Sequence, residues 1–159
     1  MTETIDGLKK RLLVAKAEFD RIPLSGVGPL GPPDPATGEQ WNRANVLGHM
    51  AEILPFWTSQ IHAVVAGASS IGRGAIGTKA RRGAIDDGPE RSEEELRAEI
   101  DRGVTGVLDL FDGLSAADLD READHVRATE TRRKRVSELL EQLLVNHFEA
   151  HVRQLRELS

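Results

Sequence analysis

The chain has 159 residues, 39% of them apolar and 30% charged, and a formal net charge of -5. That length suffices to bury a core in one domain, and the acidic balance argues against a general nucleic-acid binder. The absence of cysteine and tyrosine excludes a disulfide frame, a protein thiolate and a phenolic acid or base. No run is apolar enough to span a bilayer and no signal-peptide pattern is present, so the expected compartment is the cytoplasm, with no membrane partner.

A first helix is expected over about residues 3–22. Ile5, Leu8, Leu12, Ala15, Phe19 and Ile22 recur at steps of three and four, and Pro23 stops the pattern. Residues 24–38 are rich in Gly and Pro and read as a long loop or crossover. A second helix is expected over about residues 42–66, with Val46, His49, Met50, Ile53, Trp57, Ile61 and Val64 on its stripe. Thr37 to Gln40 has capping-box spacing, and Pro55 predicts a kink or break near Ala51.

Residues 67–88 are Gly-rich and aperiodic, hold Arg73, Lys79, Arg81 and Arg82, and read as a long solvated loop. Ser92-Glu93-Glu94-Glu95 announces a third helix with stripe Leu96, Ile100, Val104, Val107, Phe111 and Leu114. Gly103 and Gly106 lie inside it, either for close helix approach or merely tolerated. Ser115 to Asp118 caps one short turn, and a polar segment with no strand pattern runs to Arg135. A fourth helix follows over about residues 136–158, with Val136, Leu140, Leu143, His147, His151 and Leu155 in line. The expected fold is all-α: a four-helix bundle with long crossover loops in a single domain, 1–159.

Three histidines carry the chemistry. His147 and His151 stand four apart, one turn above the other on one helix face. His49 lies on the stripe of the second helix. A buried imidazole must be satisfied, and one metal ion satisfies three together where separate carbonyls or carboxylates would otherwise be needed. Three neutral nitrogen ligands leave a coordination position open, the catalytic pattern for zinc, while nickel, iron, cobalt and manganese fit the same ligand type. Glu149 points away from the pair. Glu52 and Gln154 follow His49 and His151 by three; each is spaced to back its ligand from behind, with ordinary surface placement the plainer reading. His62 is read as a helix flank and His125 as part of a polar loop.

Two nucleotide motifs fail. Gly72-Arg73-Gly74-Ala75-Ile76-Gly77 matches G-x-G-x-x-G, but the segment before it reads as helical and the one after as a Gly-rich loop, and the dehydrogenases that use such a turn need a catalytic tyrosine, which the chain lacks. Gly77-Thr78-Lys79 reverses the order a P-loop needs. The basic run Arg132-Arg133-Lys134-Arg135 reads as solvated rather than as a nucleic-acid contact.

Trp41, Val46-Leu47-Gly48-His49 and Trp57, with His147-Phe148-Glu149-Ala150-His151, make the chain resemble the DinB/YfiT-like superfamily of metal-dependent enzymes. The resemblance implies a bundle with non-sequential helix order, often a homodimer, and a divalent metal on His49, His147 and His151. Similar proteins include thiol S-transferases that use bacillithiol or mycothiol, and a mycothiol-dependent maleylpyruvate isomerase. The isomerase type has a carboxylate where this chain has His147. The expected function is thus transfer of a low-molecular-weight thiol cosubstrate onto a small electrophile, with no catalytic side chain assigned. The alternative is a non-catalytic metal-binding or stress-associated interaction protein. The basic residues from Arg73 to Arg82 offer a means of steering an anionic substrate, against the plainer reading of a solvated loop.

Overall fold

A computed structural model of the chain describes residues 4–23 and 26–159. Glu3, the expected start of the first helix, and Leu24 and Ser25 in the expected first loop lie outside the described residues. The chain is mostly helical, with a small sheet. In order, it forms α1 (Ile5–Asp20), α2 (Arg43–Val65), β1 (Ser70–Ile71), α3 (Gly74–Asp87), a 3₁₀ turn (Gly88–Glu90) and α4 (Glu93–Gly113). There follow α5 (Ala116–Asp120), β2 (Glu122–Val126), β3 (Thr131–Arg135), α6 (Val136–Leu139), a π-helical segment (Leu140–Val145) and α7 (Asn146–Glu157). The last three run on as one helix. No helix among the described residues is long and apolar enough to cross a membrane.

Local chemistry sets most helix starts. Thr4 Oγ1 accepts from the Gly7 N–H at 3.0 Å and opens α1. Asn42 and Asn45 form a reciprocal capping box, each side chain accepting from the other's backbone N–H at 2.9 Å, and open α2. The box expected at Thr37 to Gln40 does not form. Asp34 Oδ1 takes the Ala36 and Thr37 N–H groups instead, at 2.8 and 2.9 Å, and folds that stretch into a turn. Ser92 caps α4 as expected, accepting from Glu95 N–H at 3.0 Å. Pro55 does not break α2: it sits on the exposed face, and the opposite face continues the core.

α2 is the central element, packed against α4, α3 and the last helix, while α1 packs on α7 and α4. Leu8, Leu12 and Phe19 of α1, Val46, Met50 and Ile61 of α2, and Ile100 and Val107 of α4 are buried together with Phe148 of α7. Two glycines bring backbones into contact. A Cβ on Gly48 would stand 2.3 Å from the Ala84 carbonyl oxygen, and one on Gly88 would stand 2.1 Å from that of Ala44. They hold α3 against α2 beside His49. Gly103 likewise lets α4 approach Leu54, whereas Gly106 faces open space.

Three further expectations change. Residues 67–88 are not a loop but contain β1 and α3, so a two-residue strand precedes the Gly72 to Gly77 motif and a helix runs on from it, against the sequence expectation. Only Gly77 and Ile85 of α3 are buried, so the helix shows no apolar stripe and packs by backbone approach. The polar segment before Arg135 is a β-hairpin joined to β1: β1 pairs parallel with β2, and β2 antiparallel with β3. Ala123 and His125 alternate inward along β2, while β3 has no apolar side chain and is held by pairing and by Arg133 with Glu122 and Asp124. Third, the core line of the last helix does not continue through His147 and His151. The π segment carries one extra residue per turn's worth of hydrogen bonding, which slips the phase. Phe148, Val152 and Leu155 take the core positions, and the histidines stand beside them.

Candidate metal centre

α2 carries His49 and α7 carries His147 and His151. The fold brings the three together: ring centroids lie 5.5 Å (His49 to His147), 4.8 Å (His49 to His151) and 4.8 Å (His147 to His151) apart. One nitrogen from each lies within 4.8 Å of the others. They form one wall of a cleft of about 1220 Å³. His49 is almost fully buried, and the other two are partly buried.

Burial sets the charge state. It pushes the His49 pKa down to about 2, helped by His151, His147 and the two arginines of α3 and its cap. Burial and His151 push His147 down to about 3, against a hydrogen bond with the Leu143 backbone that raises it. Burial also lowers His151, against the opposing bond to Gln154. All three are neutral at pH 7, the form a metal ligand requires. Two buried nitrogens, His49 Nδ1 and His151 Nε2, have no hydrogen-bond partner among the described residues. Such orphans cost free energy unless something else takes them. Three neutral, converging imidazoles with two unpartnered nitrogens fit a divalent ion with nitrogen ligands.

The neighbours orient the rings. Gln154 Oε1 accepts from His151 Nδ1–H at 2.9 Å, which turns Nε2 to the cluster. Glu52 Oε2 stands 3.9 Å from His49 Nδ1, and Arg73 clamps both Glu52 oxygens at 2.6 and 2.9 Å. Neither Glu52 nor Gln154 is therefore a plain surface residue. Trp41 stacks on His151 (centroids 6.0 Å apart, planes at 23°) and meets His49 edge-on at 5.1 Å. Its Nε1–H donates to Glu39 at 3.1 Å, and Glu39 pairs with Arg81. Arg73 and Arg81 are thus paired parts of the wall, not a solvated loop. Glu149 faces away as expected, paired with Arg11 of α1. His62 is exposed at the end of α2.

His125 is the main miss. It is not in a polar loop but inside β2, buried, with its ring edge-on to Trp57 at 5.6 Å, and it lines the same cleft. The alternation Glu122-Ala123-Asp124-His125-Val126 was the available signal, weak because its inward positions are alanine and histidine.

Together these features define a mainly helical protein with a three-histidine cleft between its second and last long helices. The sequence model of the DinB superfamily matches residues 4–155, and the chain belongs to that superfamily. No curated protein matches it. A crystal structure of a protein from Streptococcus pneumoniae is similar over 99% of this chain and 94% of that one, with TM-score 0.63 and 16% identity. That of an uncharacterised protein from Clostridium difficile 630 is similar over 99% and 96%, with TM-score 0.61 and 16% identity. At such identity the likeness is one of fold.

Proposed function

We propose that this chain is a divalent-metal-dependent enzyme that transfers a small thiol onto a small electrophile, with His49, His147 and His151 as the ligands and zinc as the first candidate ion. The observation that carries the reading is the convergence of three neutral imidazoles, two with unpartnered buried nitrogens, on the wall of a large cleft. In this reading α1, α2, α4 and the last helix are the four helices of a DinB-type bundle, to which α3 and the sheet are added.

A bound divalent ion would supply Lewis acidity that lowers the pKa of a sulfur or oxygen donor. The chain's own residues do the rest. Gln154 fixes the tautomer of His151, the Arg73–Glu52 pair backs His49, and Trp41 packs against both rings. With no cysteine, the chain leaves the sulfur to a cosubstrate. That sulfur forms the new bond to the electrophilic carbon, the leaving group departs with its electron pair, and the thiol proton passes to solvent. The size and openness of the cleft support room for two reactants, and this favours an enzyme over a closed metal store.

The test incubates zinc-loaded protein with an alkyl halide and, separately, glutathione, mycothiol or bacillithiol, and follows loss of free thiol. Turnover in the wild type and none in His49→Ala is expected. No turnover with any thiol, in protein shown to hold the ion, contradicts the transferase reading.

A further inference from the structure

The cleft holds three guanidinium groups, and two are already neutralised. Arg73 is clamped on Glu52 and Arg81 pairs with Glu39. The remaining acid on the wall, Asp34, turns Oδ1 to the Ala36 and Thr37 N–H groups. Arg127, exposed just past β2 and two residues on from His125, lines the cleft with no acid against it among the described residues. It stands beside His125, Val126 and Ala128, which line the cleft with it.

Two further donors at this end lack protein partners. Trp57 is 6% exposed, and its Nε1–H is buried without an acceptor among the described residues. The His125 ring, 8% exposed, touches Trp57 edge-on and makes no hydrogen bond to the described residues. Burial, Arg127 and Lys134 lower the His125 pKa, so its ring is neutral at pH 7 and keeps one N–H to donate. The hairpin end of the cleft therefore offers donors and an unbalanced positive charge. Trp41, packed on the histidines, and Pro32 and Pro33 also line the cleft and give it flat or apolar walls.

We propose that the cleft binds a small organic carboxylate with a flat apolar body, its carboxylate held by Arg127 with His125 beside it. A planar guanidinium suits a carboxylate because it donates two parallel N–H bonds. The inference names the substrate class for the site proposed above, and it rests on that cleft being the substrate site. The histidine wall is not needed for the anion to bind.

The test uses metal-free protein in excess chelator, so its outcome is independent of the metal. The chain has two tryptophans and no tyrosine, and both tryptophans line the cleft, so intrinsic fluorescence reports on it directly. Benzoate and its neutral analogue benzamide are titrated in parallel. Wild type is expected to bind benzoate about tenfold more tightly than benzamide, the size of one charge-assisted hydrogen bond. Arg127→Gln is expected to abolish the preference, and Arg127→Lys to keep part of it. Arg132→Gln removes the same charge from the same hairpin without touching the cleft and is expected to leave the preference intact. Circular dichroism of Arg127→Gln checks that the fold is kept. Equal binding of the two probes, a preference unchanged in Arg127→Gln, or no saturable binding of either overturns the proposal.

Discussion

Gln154 Oε1 lies 2.9 Å from His151 Nδ1, one helical turn along α7. That single bond decides which nitrogen of His151 faces the other two histidines. A ring without it rotates and changes tautomer freely. Gln154→Ala is expected to weaken zinc binding about tenfold and, because it leaves His151 Nδ1–H without its acceptor, to lower the unfolding free energy of the metal-free protein by about 1 kcal/mol. Competition against a chromophoric chelator measures the affinity, and an unchanged affinity removes Gln154 from the account.

Acid weakens the metal-free fold through the same rings. His49 and His147 have pKa values of about 2 and about 3 in the folded chain, against an unfolded value near 6.5. Between these limits the unfolded chain binds more protons. The stability they contribute is full above pH ~6.5 and is lost as pH falls toward the folded values, at about 1.4 kcal/mol per pH unit for each ring. Urea midpoints from pH 7.5 to 5 follow the loss. His49→Gln is expected to flatten the slope; an identical slope contradicts the burial argument.

Two glycines of similar appearance should respond oppositely. Gly48→Ala drives a methyl to 2.3 Å from the Ala84 carbonyl and forces α3 away from α2. It is expected to cost about 1–3 kcal/mol. Gly106→Ala meets nothing within 4 Å in a helix interior and is expected to stabilise by about 0.5–1 kcal/mol. Denaturant unfolding of the pair tests the backbone packing that sets α3 beside His49.

Arg43 is 1% exposed at the start of α2. It donates to Glu93, Ser159 Oγ and the Pro23 carbonyl at 2.8, 2.5 and 3.0 Å. Arg43→Ala leaves Glu93 with Arg97 alone at 3.3 Å and strips its donors from Ser159 Oγ and from the Pro23 and Gly26 carbonyls. A loss of about 3 kcal/mol is expected. A change below about 1 kcal/mol in urea unfolding, inside the range of surface pairs, contradicts the buried reading.

The four long helices were legible because each has an apolar stripe, and two have a clear cap or stop, Ser92 and Pro23. The histidine pair was legible because four residues is one helical turn, and His49 because it sits on a stripe. α3 was not, since it replaces apolar side chains with backbone contacts at Gly48 and Gly88. The hairpin was not, since β3 is entirely polar and β2 buries only an alanine and a histidine. The π segment leaves no compositional mark, so the shift of the core line from His147 to Phe148 could not be read from periodicity. His125 and Arg127 were missed with the hairpin that carries them.

The most direct measurement is metal content by plasma mass spectrometry on tag-free protein, beside His49→Ala and His147→Ala. The account predicts about one divalent ion per chain in the wild type, the occupancy of one three-ligand site, and loss of it in both variants. Wild-type protein that holds no ion, and takes up neither zinc nor nickel when they are supplied, contradicts it.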